Sequence, residues 1–293
     1  MSDSLRSWLQ IHFCVMLWGF TAILGKAISL PALPLVWLRM SIVTAVLLLL
    51  PMFWKGLAKL SVRDVFIFAG IGVVVALHWL TFYAAIKLSN ASVAATCMAL
   101  APVLIAVIEP MISGNRFQPR ELLFGIAIVP GVALVVGGTP VAMRLGIVVG
   151  VLSAAFVAVF GSLNKRFVGR GDPLCITGLE MGAGAVFLAL ISPLLSNAEN
   201  RFVVPDRHDG VLLLILALAC TLLPFVLSLV ALRHLSAFST ALAVNMEPVY
   251  AILLAMVFFQ EQRELTSAFY LGMTIVLVVV LSHPLIAARQ AQT

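Results

Sequence analysis

Two stretches of sequence decide the fold, AAIKLSNASVAATCMALAPV at 84–103 and VALRHLSAFSTALAVNMEPV at 230–249. They lie 146 residues apart, which is close to half of the 293-residue chain. When the two are superposed, Lys87 falls on Arg233, several alanines coincide, and both stretches end in Pro-Val. The sequence therefore predicts that the chain contains an internal duplication.

The composition places most of this chain in a lipid bilayer. Hydrophobic residues make up 62% of it and charged residues 10%, and the mean hydropathy is +1.15. A soluble domain carries roughly a quarter charged residues, so the apolar excess must face lipid. A bilayer core of roughly 30 Å is crossed by about 20 apolar residues in a helix, and polar or turn-forming breaks divide the chain into ten such pieces. The ten predicted segments are 7–28, 34–54, 64–86, 91–112, 119–138, 142–164, 174–195, 210–232, 237–259 and 265–287.

The predicted fold is therefore an all-α polytopic membrane protein with ten transmembrane helices in two five-helix repeats. The first repeat covers 1–139 and the second covers 140–293, within one integral membrane domain. A looser match, with an offset of 139 residues, sets Lys26 against Lys165. We expect the first segment to be a helix and not a cleaved signal peptide, because no small-residue cleavage pattern follows it.

The basic residues indicate a topology and not a nucleic-acid partner, since they lie in short connections despite a net charge of +6. With the amino terminus inside, eleven Lys and Arg residues fall on the cytoplasmic side and six on the outer side. The positive-inside rule then predicts that both termini are cytoplasmic. Arg39, about one turn into the second segment, is the remaining basic residue. We expect it to snorkel to the outer interface and not to form an ion pair.

Five helices is an odd number, so the second repeat must start on the opposite side of the membrane and run inverted. Inverted repeats are common in secondary transporters, whose substrate sites lie near mid-membrane where the repeats meet. Pro102 and Pro248 sit at matching places in the two repeats, and each removes a backbone hydrogen bond. Paired helix interruptions of this kind indicate a binding site or a gate, although a kink that merely shapes packing is an alternative.

Three stretches resemble the EamA-type drug/metabolite transporters: LWGFTAILGK at 17–26, LRM at 38–40 and MEPVYAILLAMVFFQEQ at 246–262. The corresponding first-half run keeps the proline but lacks both glutamates. Within that family the chain looks most like YddG-type amino-acid exporters. The resemblance implies a bacterial inner-membrane carrier that exports aromatic and other neutral amino acids or similar metabolites. It also implies a central cavity lined by predicted segments 1, 3, 4, 6, 8 and 9.

A pocket for an amphipathic solute needs apolar walls and a few placed polar groups. Glu247 and His78 are the main candidates for a polar or proton-linked role, because ionisable groups at mid-bilayer usually face the bundle interior. Aromatic residues at helical spacing supply the walls, although each of them could instead serve helix packing. The candidate substrate-binding residues are Trp18, His78, Trp79, Phe82, Tyr83, Met98, Pro102, Phe156, Phe160, Asn164, Pro224, Asn245, Glu247 and Pro248.

Other functions have less support in the sequence. No zinc, nucleotide or nucleophile-elbow motif is present, and the four scattered cysteines have no metal-ligand spacing. An intramembrane enzyme is therefore a remote alternative, and we expect no catalytic residue, metal or cofactor. A carrier of phosphorylated solutes such as nucleotide sugars, or a drug efflux carrier, stays open. The single helix-interior cation, Arg39, favours an uncharged or zwitterionic solute. We expect a small-molecule substrate, a bilayer environment and a monomer.

Overall fold

The computed structural model describes residues 3–114, 116–117, 119–195, 202–236, 240, 243–244 and 246–290. The regular secondary structure of these residues is helical. The main helices are α1 (Asp3–Ala27), α2 (Ala32–Leu48), α3 (Pro51–Leu57), α4 (Val62–Leu88), α5 (Ala91–Met98), α6 (Ala101–Ser113), α7 (Pro119–Gly137), α8 (Arg144–Phe167), α9 (Pro173–Leu195), α10 (Arg207–Ala217), α11 (Leu223–Leu232), α12 (Glu247–Phe259) and α13 (Ser267–Gln290).

Several of these helices are long and apolar enough to cross a membrane. Six stretches of the described residues meet that condition, and α2 with α3 would make a seventh. The six are Leu5–Ala27, Val62–Leu88, Ala91–Ser113, Val141–Arg170, Pro173–Leu195 and Arg207–Leu232. The all-helical membrane architecture is thus confirmed for the described residues. The count of ten spans and the cytoplasmic placement of both termini stay predictions.

The second predicted segment, 34–54, is not a single straight helix. α2 and α3 meet at an angle of 88°. Between them Leu50 adopts an extended backbone (φ −89°, ψ 123°), and Pro51 begins α3. Proline disfavours the helical conformation in the residue before it and has no N–H to donate. The bend was hidden from the sequence analysis because it lies inside an apolar run.

The aligned prolines mark matching interruptions. α5 ends at Met98 and α6 begins at Ala101, so Pro102 lies in the first turn of a new helix. In the second half α12 begins at Glu247, which places Pro248 in its first turn. A proline is tolerated in a first helical turn because the N–H it lacks has no partner there. The prediction that Pro102 interrupts its helix is confirmed, and Pro248 lies at the matching place at the start of α12.

A third interruption separates α10 from α11. Residues Leu218–Leu222 form one wide π-helical turn, and Pro224 follows in the first turn of α11. The hydroxyl of Thr221 donates to the carbonyl oxygen of Leu216 at 2.5 Å. Such π-turns frequently occur at functional sites, and this one aims the Thr221 side chain into the bundle.

Small residues set the helix spacing. A Cβ placed on Gly146 of α8 would lie 2.6 Å from Ser89, and one on Gly150 would lie 2.8 Å from Cys97. A Cβ on Gly178 of α9 would meet the ring of Phe53 at 2.5 Å. These glycines therefore serve packing within the bundle, as small residues do in membrane helices.

Polar contacts join helix ends at one end of the bundle, which we call the Lys26 end (residues 26–29, 87–92, 206–209 and 261–264). Lys26 forms an ion pair of 2.7 Å with Glu261, which is fully buried. Glu261 also accepts from the backbone and hydroxyl of Ser92 at 2.9 and 2.5 Å. Ser29 donates through its hydroxyl to Asp209 at 2.6 Å. These contacts tie α1, α5, α10 and the end of α12 together.

Lys87 and Arg233, which fall on each other when the two repeats are superposed, make equivalent contacts in the two halves. Lys87 Nζ, at the end of α4, donates to the carbonyl oxygen of Ile28 in the α1–α2 connection at 2.5 Å. Arg233, just after α11, donates to the carbonyl oxygen of Gly171 in the α8–α9 connection at 2.6 Å. In each half, therefore, a basic side chain at the end of the third predicted segment donates to the connection between the first two segments of that half.

The packing of α4 on α9 supplies a stability prediction. A Cβ on Gly72 would lie 2.2 Å from the backbone oxygen of Glu180, whereas a Cβ on Gly70 meets nothing within 4 Å. Gly72→Ala should therefore force the two backbones apart and destabilise the protein by about 1–3 kcal/mol or more. Gly70→Ala should be neutral or slightly stabilising, because alanine favours helix. Thermal unfolding of the purified variants in detergent measures both. Equal melting temperatures for the two variants would contradict the close α4–α9 packing.

Candidate functional site

A cavity of about 140 Å³ lies inside the bundle. It is bounded by residues of α1, α2, α4, α5, α6, α8, α11 and α12. The lining residues are Trp18, Thr21, Arg39, His78, Trp79, Phe82, Met98, Ala101, Ile105, Val157, Phe160, Gly161, Asn164, Phe225, Ser228, Leu229, Leu232, Thr240, Val244 and Glu247. Both halves of the chain contribute, and α2 is an addition to the predicted lining helices.

Aromatic rings form much of the cavity wall. The ring of Phe160 lies 5.4 Å from that of His78, and the ring of Trp79 lies 6.1 Å from that of Phe225 in an edge-to-face arrangement. Phe82 continues this wall, with its ring 6.1 Å from His78. An apolar cavity of about 150 Å³ admits benzene. The cavity therefore has the size and surface to hold a side chain with one ring or a branched aliphatic group.

Arg39 lines this cavity, and the expectation that it snorkels to the outer interface is wrong. Its side chain is 2% exposed. Nε donates to the hydroxyl of Thr221 at 2.5 Å, and Nη1 donates to the phenol oxygen of Tyr83 at 2.8 Å. The guanidinium carbon lies 3.8 Å from the ring centroid of Trp79, a close cation–π contact. Nη2 has no hydrogen-bond partner among the described residues.

His78 is held against α8 by a reciprocal contact with Ser153. The Ser153 hydroxyl donates to the backbone oxygen of His78 at 2.9 Å. Nδ1 of His78 lies 3.1 Å from the backbone oxygen of Ser153 and 2.8 Å from its hydroxyl oxygen. A proton on Nδ1 satisfies this arrangement, because the carbonyl oxygen can only accept. Nε2 then carries the lone pair, and it makes no hydrogen bond with the described residues.

Glu247 brings a carboxyl group to the same cavity. It is partly buried in the first turn of α12, where the helix dipole favours an acidic group. Its carboxylate makes no hydrogen bond with the part of the chain that the structure describes. Arg39 lines the same cavity, but the two groups do not form an ion pair within 4.0 Å.

A second polar pair borders the cavity. The amide nitrogen of Asn164, a lining residue, donates to Glu180 at 3.3 Å. Glu180 is fully buried in α9. The side-chain oxygen of Asn164 (Oδ1) and the second carboxyl oxygen of Glu180 (Oε1) have no hydrogen-bond partner among the described residues. Unpaired buried polar atoms are costly, so this pair can accept further hydrogen bonds.

The cavity extends towards one end of the bundle. Lys165 Nζ, beside the lining residue Asn164, donates to the carbonyl oxygens of Leu232 and Leu235 at 2.7 and 2.6 Å. Leu232 also lines the cavity, so the cavity reaches this end of the bundle, which we call the Lys165 end (residues 164–171 and 232–236). No residue of the Lys26 end is among the lining residues described above.

The structure brings together eight of the fourteen candidate substrate-binding residues. Tyr83 lies behind the wall, where it supports Arg39, while Pro102, Phe156 and Pro224 are not among the lining residues. Asn245 lies outside the described residues, and so does the side chain of Pro248. The eight lining candidates are Trp18, His78, Trp79, Phe82, Met98, Phe160, Asn164 and Glu247.

Arg39 is the main cavity residue that the sequence analysis left out of its candidates. A charged residue inside a membrane segment is itself a signal of function. The position of Arg39 near the start of its segment concealed that signal, because snorkelling was equally consistent with it. Its nearest acceptor, Thr221, lies 182 positions away in the sequence.

The comparisons with known proteins agree with a membrane carrier. The EamA-like transporter family matches the chain twice, over residues 7–137 and 144–283. The chain therefore belongs to the EamA-like transporter family, within the drug/metabolite transporter superfamily, and is a multi-pass membrane transporter of small molecules.

Two individual proteins are similar to this chain. The uncharacterized transporter YyaM of Bacillus subtilis (strain 168) is 25% identical over 264 residues, covering 84% of this chain and 86% of that protein. A protein of known crystal structure superposes with a TM-score of 0.67 at 18% identity, covering 97% of this chain and 99% of that one. The second similarity shows the fold alone.

The support of Arg39 by Tyr83 yields a prediction. Tyr83→Phe removes the acceptor of Nη1 and leaves a buried donor of a charged group unpaired, which costs about 1–3 kcal/mol. The free energy of unfolding in detergent should fall by that amount. Tyr250→Phe is the matched control, because Tyr250 is 40% exposed and its change should have little effect. A Tyr83→Phe protein as stable as the control variant would contradict the hydrogen bond to Arg39.

Proposed function

We propose that this protein is a secondary transporter that exports small neutral or zwitterionic metabolites, above all amino acids including aromatic ones, across a bacterial inner membrane. The observation that carries the proposal is the cavity, where an aromatic wall surrounds one basic and one acidic group. Such a site suits a solute with an apolar side chain and charges that sum to zero. The earlier resemblance to YddG-type exporters agrees with this substrate class.

The transport mechanism that we propose is alternating access between two inverted five-helix repeats, 1–139 and 140–293. Support comes from the two separate family matches and from the equivalent contacts that Lys87 and Arg233 make. The proposal includes ten membrane spans, both termini in the cytoplasm and a monomeric carrier. In that topology the Lys26 end faces outward and the Lys165 end faces the cytoplasm. The described arrangement is then an inward-facing one.

A carrier of phosphorylated solutes is the second candidate, because Arg39 does line the cavity and guanidinium groups bind phosphate well. Two observations favour the first candidate. The carboxylate of Glu247 in the same cavity would repel a phosphate. A nucleotide sugar would also need far more room than about 140 Å³.

The substrate class can be tested by flux measurements in liposomes. We expect saturable flux of phenylalanine and leucine and little flux of a nucleotide sugar, each measured against protein-free vesicles. Phe160→Ala should raise the half-saturation concentration for phenylalanine about tenfold, because the substrate ring loses an aromatic contact worth about 1.4 kcal/mol. The matched control is Phe258→Ala, whose ring is 63% exposed on the outside of α12.

The outcomes of the flux measurement separate function from site. Amino-acid flux that responds equally to Phe160→Ala and Phe258→Ala would keep the function and exclude the cavity as the binding site. Flux of the nucleotide sugar alone would favour the second candidate. No flux of any amino acid would contradict the proposed function.

Alternating access requires the Lys26 end to open during each cycle. A protein carrying Ser29→Cys and Asp209→Cys brings two thiols to a place where the native side chains are 2.6 Å apart. Cross-linking these thiols with a short reagent should reduce flux at least tenfold, and cleavage of the cross-link should restore it. Ser29→Cys alone and Asp209→Cys alone, treated in the same way, are the controls, and they also report any reaction of the four buried native cysteines. A cross-linked protein that transports at the normal rate would show that this end stays closed during transport.

A further inference from the structure

We propose that Arg39 and Glu247 together bind the two charges of a zwitterionic substrate, Arg39 the carboxylate and Glu247 the ammonium group. This inference rests on the proposed function and assigns its substrate class to two residues: compounds that carry both an ammonium and a carboxylate group. The aromatic wall then receives the side chain.

The guanidinium of Arg39 is positioned to donate a hydrogen bond to one further acceptor. Two of its three nitrogens are fixed by Thr221 and Tyr83, and its flat face rests on Trp79. Nη2 has no partner among the described residues, and Arg39 is one of the residues that line the cavity. A side chain that is 2% exposed with such a free donor is costly to leave unpaired. A substrate carboxylate is the anion that matches a planar guanidinium best in this small space.

Glu247 supplies the complementary charge. It lines the same cavity as Arg39 and makes no hydrogen bond to the described residues. The absence of a direct ion pair leaves both groups available to a ligand placed between them. An ammonium group offers three donors and no acceptor, so the carboxylate of Glu247 is the cavity group that it can satisfy best.

A zwitterion fits this arrangement better than a solute with a single charge. A lone carboxylate would bind Arg39 but leave Glu247 unpaired, and a lone amine would do the reverse. Each charge-assisted hydrogen bond to a buried group contributes enough to change affinity about tenfold or more. The geometry therefore predicts discrimination against compounds that lack either charge, with the side chain unchanged.

The experiment compares three labelled compounds of nearly the same size: phenylalanine, phenethylamine and 3-phenylpropionate. Leucine, isoamylamine and 4-methylpentanoate form a second set with an aliphatic side chain. Binding to the purified protein in detergent is measured by scintillation proximity, and flux is measured in liposomes. We expect the wild-type protein to bind each amino acid at least about tenfold more tightly than its amine or its acid.

Two variants assign the charges to residues. Arg39→Gln should weaken the binding of the amino acid and of the acid at least about tenfold, and it should leave the affinity for the amine unchanged. Glu247→Gln should weaken the binding of the amino acid and of the amine, and it should leave the affinity for the acid unchanged. Arg39→Lys keeps the positive charge but not the planar guanidinium. The affinity for the amino acid should therefore fall less in Arg39→Lys than in Arg39→Gln. Arg144→Gln is the matched control, since Arg144 is exposed at the start of α8, and it should bind all compounds as the wild type does.

The outcomes are distinguishable. If the wild type binds the amino acid no better than its amine or acid, the two-charge site is wrong, and the comparison needs no variant that fails to fold. If Arg39→Gln or Glu247→Gln weakens all three compounds equally, that residue is structural and the assignment falls, while amino-acid flux by the wild type would keep the proposed function. If the wild type neither binds nor moves any amino acid, the proposed function fails and the two-charge site fails with it.

Discussion

A guanidinium group buried in a lipid-embedded bundle must find its partners inside the protein, because lipid cannot solvate its charge. Arg39 meets this requirement with one contact from each of three directions: the hydroxyl of Thr221, the phenol of Tyr83 and the face of Trp79. These partners fix α2 against α4 and against the π-turn between α10 and α11. The turn itself follows from Pro224, whose missing N–H removes a bond from the regular helical ladder. A local irregularity in the second half of the chain thereby orients a charge from the first half.

The same reasoning applies to the ends of the bundle. Glu261 is fully buried yet charged, and it is stabilised because Lys26 and the start of α5 direct donors to both of its oxygens. At the other end Lys165 donates to two backbone carbonyl oxygens at the end of α11, those of Leu232 and Leu235. Arg233 donates to the carbonyl oxygen of Gly171 there, and Arg170 forms an ion pair of 3.0 Å with Asp64. The carboxylate at the Lys26 end is fully buried, whereas the Arg170 side chain at the Lys165 end is 45% exposed. This difference is consistent with a cavity that reaches the Lys165 end and is closed at the Lys26 end.

Hydropathy and turn residues were sufficient to predict an all-helical membrane protein and most of its helix positions, because those features depend on local sequence. The aromatic wall was also largely predictable, since residues such as His78 and Phe82 share a helix face. The role of Arg39 was not predictable, because it depends on an acceptor 182 residues away, and position along a helix does not reveal which neighbour that helix meets. Glu261 likewise looked like a connection residue until its contacts with distant segments placed it in the interior.

The opposite charges in the cavity also bear on energetics. Moving one elementary charge across a membrane is worth about 2.3 kcal/mol per 100 mV. A zwitterion bound between Arg39 and Glu247 adds no net charge to the protein, so the loaded and the empty carrier would respond alike to the membrane potential. Without a coupled ion, the concentration gradient of the solute alone would then set the direction of transport, and export would follow from accumulation inside the cell. Any coupling to protons would require a group whose protonation changes with the cycle, and His78 and Glu247 are the imidazole and carboxyl groups that line the cavity.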